Sequence, residues 1–183
     1  MGTRSTAKTL IAAGILAVAS IAVSAAEPNE AANRKVVDDF WAAWAKPHDA
    51  ETLASFFRED GVYHMNSQAD KSPAVVGRAK IAAFFEQCCS VDKGVAWKMV
   101  VHETLVRGSF VIVSYDDFPL VPKDPALAKG VRSIYPDMFN GEKPLMNTKQ
   151  VAFFWIKDGK IMECVSSVGE IKPLPAEYSN VPQ

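Results

Sequence analysis

Residues 60–85 read DGVYHMNSQADKSPAVVGRAKIAAFF, and this stretch joins two halves of the chain that differ in character. Its first part, VYHMN, has the residues of a short strand and places Tyr63, His64 and Asn66 on it. A polar loop follows, and an apolar helix then begins at the GR pair. Three hydrogen-bonding side chains on one short strand indicate either a strand that lines a pocket or one whose polar face is solvated.

The sequence before this stretch predicts helices. In residues 29–47, the apolar residues Val36, Phe40 and Trp44 recur at every fourth position, which is the pattern of an amphipathic helix. A second helix is predicted to follow, with Asp49 as its N-cap.

The sequence after this stretch predicts long strands in two hairpins. Residues 95–106 and 110–121 are joined at RGS, and residues 147–156 and 161–171 are joined at KDGK, whose Asp-Gly pair favours a tight turn. Helices first and strands last indicate an α+β fold, with the helices on one face of a curved antiparallel sheet. Such a sheet, folded around its helices, encloses a cone-shaped apolar pocket.

Residues 122–146 interrupt the strand pattern with four prolines and two glycines. We expect an irregular excursion with one helical turn near residues 125–129, and a loop this long in a compact domain is usually functional or poorly ordered. The sequence leaves open whether the excursion is a lid over the pocket, a dimer arm or a disordered loop. The proline-rich tail, residues 173–183, is expected to lie along the surface.

The first 26 residues have the layout of a secretory signal peptide. Two basic residues precede an apolar run at positions 10–23, and small residues follow, so cleavage is expected after Ala25 or Ala26. Because the run is shorter than the ~20 apolar residues of a membrane span, we expect an exported protein, periplasmic or secreted, with no stable membrane anchor after cleavage. The remainder is long enough for one domain, residues 27–172, followed by the tail.

The composition argues against some classes of partner. The 183 residues are 49% hydrophobic and 22% charged, as in ordinary globular proteins. Cleavage removes two of the 20 basic residues and none of the 21 acidic ones, so the net charge falls from −1 to −3, which argues against nucleic acid as a partner. The sequence has no glycine-rich phosphate loop and no metal-ligand spacing, so no cofactor and no metal site are expected.

Three cysteines, Cys88, Cys89 and Cys164, follow the leader. An oxidising compartment favours one disulfide with one thiol left over. Because a bridge between neighbours is strained, we expect Cys164 to pair with Cys88 or Cys89 if the fold brings them together.

Three segments together carry a likeness to a known family: VVDDFWAAWAKPHDAETLASFFREDGVYHMN, VVGRAKIAAFF and KDGKI. In these segments the chain resembles the NTF2-like superfamily, in the branch of SnoaL-like polyketide cyclases and limonene-epoxide hydrolases. The resemblance covers most of residues 33–170 apart from the excursion. It implies a cone with N-terminal helices packed in a curved antiparallel sheet, a pocket for a small molecule, and a homodimer formed through the exposed face of the sheet.

The epoxide hydrolases of this branch imply one set of site residues. Their strand residues that orient a water correspond to Tyr63 and Asn66, although these lie three positions apart here rather than two. Asp116 matches the family's middle-strand Asp, but Ser114 stands where an Arg is expected and Ser166 where a second Asp is expected. The water-activating set is therefore incomplete, which argues against plain epoxide hydrolysis.

Ketosteroid isomerases share the scaffold and imply a second set. Their carboxylate base lies on the first strand, at about the position of His64, and imidazole can serve as a base near neutral pH. Of the adjacent Asp116 and Asp117, the pleat must send one inward. Asp116 shares a face with Phe110 and Ile112, and this face matches the family's interior, so we assign Asp116 to the pocket.

The leading hypothesis is acid–base chemistry, such as isomerisation, cyclisation or hydration, on a small apolar molecule, with His64 and Asp116 exchanging protons. The candidate substrate-binding residues are Tyr63, Asn66, Ser114, Ser166 and Trp41, although the spacing of Trp41 also fits the core. The alternative is a non-catalytic ligand-binding protein on the same scaffold, and a third possibility is an interaction module that uses the excursion.

Overall fold

The computed structural model describes residues 29–46, 49–64, 74–91, 96–167 and 169–178. The predicted signal peptide and Asn66 lie outside these residues. The N-terminal half contains three helices and two strands. They are α1 (Glu30–Trp44), α2 (Ala50–Ser55), β1 (Phe57–His64), β2 (Val75–Val76) and α3 (Arg78–Val91).

The C-terminal half supplies most of the sheet. Its elements are β3 (Ala96–Arg107), β4 (Phe110–Leu120), α4 (Pro125–Ile134), β5 (Phe139–Asn140), β6 (Lys143–Lys157), β7 (Lys160–Ser166) and β8 (Glu170–Pro173). The strands run in the order β2-β1-β7-β6-β4-β3, with β5 and β8 paired to β6. Both predicted hairpins are confirmed, and Asp158 and Gly159 turn between β6 and β7 with φ of 52° and 70°.

Helices α1, α2 and α3 cover one face of the sheet, which we call the cone face. Phe40 of α1 is 2% exposed, and its ring packs edge-on against the rings of Phe57 and Phe154, with centroids 5.9 Å away in both cases. Val36 and Trp44 pack against the same core, as their spacing along α1 predicts. The predicted α+β cone is confirmed.

Strand β1 begins at Phe57, five residues before the predicted strand, and pairs with β7 in parallel. The sheet is therefore mixed, with one parallel pair that the order of elements does not reveal. Gly61 lies where the register of this pair shifts. A Cβ at Gly61 would lie 3.2 Å from the carbonyl oxygen of Ile161 on β7, which is a tight contact, so a residue without a side chain favours the close approach of the two strands here.

The excursion at residues 122–146 is regular structure, which corrects the expectation of a single helical turn. Helix α4 begins where Asp124 Oδ1 accepts hydrogen bonds from the amides of Ala126 and Leu127, and Pro125 occupies its first turn. A turn at Gly141, with φ of 63°, then joins β5 to β6. Pro125 and Pro136 each begin a helical segment, and Pro144 lies at the start of β6, where a missing N–H costs little.

The opposite side of the sheet, which we call the outer face, carries exposed apolar side chains. Phe110 and Ile112 of β4 are 43% and 37% exposed, and Val151 of β6 is 43% exposed. The ring of Phe110 packs against the ring of Phe153 with centroids 5.4 Å apart. The sheet therefore has an exposed apolar surface on the side opposite the core.

Candidate functional site

The register of β4 decides which side chains enter the cone. Val111, Val113 and Tyr115 are 0%, 1% and 4% exposed, so they and the next residue in alternation, Asp117, lie on the cone face. Ser114 and Asp116 lie on the outer face. The assignment of Asp116 to the pocket is therefore wrong. Over residues 110–113 both faces of β4 carry apolar side chains. Alternation alone therefore could not show which face the helices cover.

A cavity of about 140 Å³ lies within the cone, next to Asp117. Its walls come from α1, β1, β4, β6 and β7. The lining residues are Phe40, Trp41, Trp44, Tyr63, Tyr115, Asp117, Gln150, Cys164 and Ser166. The structure thus brings together three of the predicted substrate-binding residues, Trp41, Tyr63 and Ser166.

Asp117 contributes a carboxyl group to this cavity. Burial raises the pKa of its carboxyl group from 3.8 to about 7, and the nearby charge of Asp116 adds to the rise. Hydrogen bonding to Gln150 and Asn147 partly offsets these effects. Near neutral pH the carboxyl group therefore populates both its acid and its base form, which is the condition for general acid–base catalysis.

Two polar atoms in the walls of the cavity have no hydrogen-bond partner among the residues that the structure describes. They are the indole Nε1 of Trp41, a donor, and Oδ1 of Asp117. The indole ring of Trp41 packs against the ring of Tyr115 with centroids 5.0 Å apart, which holds it beside the strand that carries Asp117. Buried polar atoms are normally paired, so these two are exceptions among the polar atoms of the core.

Tyr115 and Cys164 contribute neutral groups to the wall. Burial raises the pKa of the Tyr115 hydroxyl well above its usual range, with smaller effects from Asp117 and Cys164, so the phenol remains a hydrogen-bond donor. Burial also raises the pKa of the Cys164 thiol, with a smaller effect from Glu163, so this sulfur is not a thiolate nucleophile.

Cys164 is a free thiol in the structure, so the expected disulfide from Cys164 to Cys88 or Cys89 is not formed. The reason is its place in the fold: Cys164 is 2% exposed and lies opposite Tyr63 in the core. The side chains of Cys88 and Cys89 lie outside the part of the chain that the structure describes.

His64 and Asp116, predicted to exchange protons, lie outside the cavity and have separate partners. His64 pairs through Nε2 with Oε1 of Glu163 at 2.9 Å. Asp116 pairs with Nε2 of His102 at 2.9 Å and accepts a hydrogen bond of 2.8 Å from the amide of Lys149. The structure therefore does not bring the predicted pair together, because neither residue lines the cavity.

The residues that sequence reasoning missed are Asp117, Tyr115 and Gln150. Tyr115 and Asp117 share one face of the strand by simple alternation, so the sequence holds the signal, but it does not show which face of the strand is covered. Gln150 is 5% exposed, and a buried Gln in a strand is a sign of a polar site, but its burial depends on the β4–β6 pairing.

A larger cleft of about 640 Å³ lies between the end of β4, the β5–β6 turn and the C-terminal segment. Phe118, Leu145 and Tyr178 are among its lining residues. Asp117 and Trp41 do not line it. We therefore place the candidate site in the smaller cavity, where the unpaired polar atoms lie.

Over the described ranges, no three His, Cys, Asp or Glu side chains converge as metal ligands. Within the same ranges, no helix has the length and apolarity required to span a membrane.

A family model for the SnoaL-like domain matches residues 37–164. No curated protein matches the chain by sequence. Among solved structures, a putative ketosteroid isomerase from Kribbella flavida is similar with a TM-score of 0.51 and 16% identity, over 85% of this chain and 90% of that one.

Two other solved structures have comparable likeness. An LEH-like epoxide hydrolase from M. tuberculosis has a TM-score of 0.53 and 15% identity, over 77% of this chain and 85% of its own. A putative polyketide cyclase from Xanthomonas campestris pv. campestris has a TM-score of 0.52 and 19% identity, over 77% of this chain and 93% of its own. Because the sequence identities are this low, the likeness to these three structures shows a shared fold.

Proposed function

We propose that this chain, which belongs to the SnoaL-like domain family, carries out acid–base chemistry on a small, largely apolar molecule held in the cavity of its cone. The observation that carries the proposal is the partly buried carboxyl group of Asp117, whose pKa of about 7 suits proton transfer near neutral pH. Isomerisation, cyclisation and hydration all need such a group.

The geometry supports a simple division of roles. The carboxylate form of Asp117 takes a proton from the substrate, and the resulting acid returns that proton to another atom of the substrate. The hydroxyl of Tyr115 and the indole N–H of Trp41 are neutral donors in the same cavity, suited to negative charge that develops on a substrate oxygen. Phe40, Trp44 and Tyr63 add aromatic surface to the walls.

Turnover by Asp117→Asn, compared with Asp116→Asn, tests this proposal. The two variants make the same chemical change at adjacent positions on opposite faces of β4, so Asp116→Asn is a matched control. A panel of small epoxides and enones supplies substrates. We expect Asp117→Asn to lose activity by about 100-fold or more, the scale of a removed general acid–base group, while Asp116→Asn keeps most of it. Equal activity of both variants would contradict the proposed role.

A non-catalytic ligand-binding function is the second candidate. Neither His64 nor Asp116 enters the cavity, so Asp117 is the only carboxylate among the described residues that line the cavity. A single carboxylate supports the binding function. Native mass spectrometry on the mature protein from its own compartment distinguishes the two functions. A stoichiometric adduct that survives purification would favour binding without turnover, and an empty cavity would favour an enzyme that releases its product.

We also propose a homodimer formed through the outer face. The exposed side chains of Phe110, Ile112 and Val151 provide an apolar surface in the middle of the sheet, and burial of such a surface against a second copy would be favourable.

Export with removal of residues 1–26 is the final part of the proposal. Its support is the basic start, the short apolar run and the small residues before Glu27. The intact mass of the protein recovered from its native host tests it, and a mass that includes the first 25 residues would contradict it.

A further inference from the structure

Strand β6 departs from regular alternation next to Asp117. Asp117 of β4 lies opposite Asn147 of β6, and Tyr115, two residues earlier on β4, lies opposite Gln150. One residue therefore separates the two paired positions on β4, whereas two residues separate them on β6. An extra residue in one strand of an antiparallel pair is a β-bulge.

The bulge turns two amide side chains to the same face of the sheet. Residues 147 and 150 are three positions apart, so in a regular strand they would lie on opposite faces. Because each lies opposite a cone-facing residue of β4, both Asn147 and Gln150 lie on the cone face. Gln150 is 5% exposed and lines the cavity together with Asp117.

This register places both amides within reach of the Asp117 carboxyl group. In an antiparallel pair, opposite Cβ atoms lie about 4.5–5.5 Å apart, and diagonal neighbours about 7–8 Å apart, which a long side chain can span. Asn147 is the opposite residue and Gln150 a diagonal one. Both side chains hydrogen-bond the Asp117 carboxyl group. Nε2 of Gln150 also donates to the carbonyl oxygen of Asn147, across the bulge, at 3.5 Å.

The backbone of the bulge is held by the strands on both sides of β6. Lys149 has a φ of 60°, which is uncommon for a residue with a side chain. Its amide donates to Asp116 Oδ1 at 2.8 Å, and its Nζ pairs with Glu170 Oε1 at 2.9 Å. Thr148 Oγ1 donates to the carbonyl oxygen of Glu170 at 3.1 Å. A Cβ at Gly169 would overlap the carbonyl oxygen of Thr148, so the segment before β8 lies directly against the bulge.

We propose that Asn147 and Gln150 are positioning residues for the carboxyl group of Asp117, and that the bulge in β6 is the element that brings both amides to it. Each amide donates an N–H to the carboxyl group and so favours its ionised form, which takes the proton in the proposed reaction. The inference rests on the proposed function for the role of Asp117, but it concerns the ionisation of this group and not turnover.

Few other charges act on Asp117 among the described residues. The other titratable side chains that line the cavity are Tyr63, Tyr115 and Cys164, and burial keeps Tyr115 and Cys164 neutral. Asp116, on the opposite face of the same strand, raises the pKa of Asp117, whereas the two amides lower it. The amides therefore oppose the combined effect of burial and of this neighbouring charge.

A titration of the Asp carboxyl carbons by carbon-13 NMR tests the inference without any substrate. The pH series spans the Asp117 pKa of about 7, and Asp117→Asn identifies its signal. The variants are Gln150→Met and Asn147→Leu, which remove the amide and keep a side chain of similar size. Gln87→Met is the matched control, because it makes the same change on an exposed position of α3 that does not line the cavity.

We expect Gln150→Met to raise the pKa of Asp117 by about 1, which is about a tenfold tighter hold on the proton. Asn147→Leu should raise it by less, because the hydrogen bond from Gln150 has the larger effect. A purely structural role would lower the free energy of unfolding and leave this titration in place. An unchanged pKa in both variants, or an equal rise in Gln87→Met, would overturn the inference.

The role of the bulge is tested by two substitutions of Lys149. Both Lys149→Gly and Lys149→Val remove the side chain and its pairing with Glu170, but only glycine readily adopts a φ of 60°. We expect the pKa of Asp117 to rise in Lys149→Val, because the amides are displaced, and to keep its wild-type value in Lys149→Gly. The same pKa in these two variants would show that the bulge does not position the amides.

These outcomes are separate from those of the proposed function. A raised pKa of Asp117 in Gln150→Met, with no turnover of any substrate, would support the positioning of the carboxyl group and count against the enzyme. Turnover that depends on Asp117, with an unchanged pKa in both amide variants, would support the enzyme and overturn the positioning role.

Discussion

Two adjacent carboxylates on β4 have different environments at the scale of single residues. Asp116 lies on the outer face, where His102 and the amide of Lys149 pair with it. Asp117 lies on the cone face with Oδ1 unpaired among the described residues, and burial raises its pKa to about 7. One step along the strand therefore separates a carboxyl group with partners on the outer face from a group suited to proton transfer.

The raised pKa of Asp117 predicts a pH-dependent loss of stability. Between about pH 4 and pH 7 the folded protein binds this proton more tightly than the unfolded chain does, so the free energy of unfolding falls as the pH rises through that window. Asp117→Asn removes this dependence. At pH 8 the variant should be the more stable protein, by at most about 4 kcal/mol, since one pKa unit corresponds to about 1.4 kcal/mol.

Urea unfolding of the wild type and Asp117→Asn at a series of pH values measures this difference. Asp116→Asn is the control: it removes only the smaller effect of the neighbouring charge, so its profile should keep most of the wild-type slope. Parallel profiles for the wild type and Asp117→Asn would show that the carboxyl group titrates normally in the folded protein.

The same ionisation should govern catalysis. If the carboxylate form of Asp117 takes the first proton, kcat/KM of the wild type should fall tenfold for each pH unit below about 7 and level off above it. A pH–rate profile on any substrate that the panel identifies measures this. A rate that instead falls above pH 7 would assign the first step to the acid form and would contradict the proposed order of proton transfers.

At the scale of elements, helix α4 shows how a proline-rich segment becomes regular. Asp124 caps the first turn, and the side chains of Ala128 and Val131, 5% and 3% exposed, pack inward. The N-cap and the buried face together stabilise this helix, which the proline content of the segment does not predict.

Asp124→Ala should destabilise α4 by about 1 kcal/mol, because two amides lose their acceptor. Asp49→Ala is a matched control: Asp49 is the N-cap of α2, but its side chain accepts no hydrogen bond from a helix amide. Hydrogen exchange of the α4 amides measures the local effect. Equal protection of α4 in both variants would indicate that packing alone maintains the helix.

At the scale of the whole molecule, the sheet has two apolar faces and only one of them is covered by the N-terminal helices. The cone face forms the core and the cavity. The outer face presents Phe110, Ile112 and Val151 to solvent in the single chain. This asymmetry underlies the proposed homodimer.

Ile112→Lys should convert the dimer to a monomer, because a desolvated charge in the middle of an apolar interface costs several kcal/mol. Light scattering after size-exclusion chromatography measures the mass. Leu127→Lys is the control, since Leu127 is 51% exposed on α4 and not on the sheet. A wild-type chain that is monomeric at high concentration would refute the proposal, as would an Ile112→Lys dimer.

The sequence by itself determined the helices α1 and α3, the two hairpins and the α+β class, because these follow from local periodicity and from the Asp-Gly turn. It also identified Trp41, Tyr63 and Ser166, which the structure brings to one cavity. Tertiary structure alone decided the face of β4, the parallel pairing of β1 with β7 and the burial of Gln150. The face of β4 depends on which side of the sheet the helices cover, and a strand that is apolar on both sides carries no local signal of that choice. The other two depend on which strands pair, and this is set between segments that are distant in the sequence.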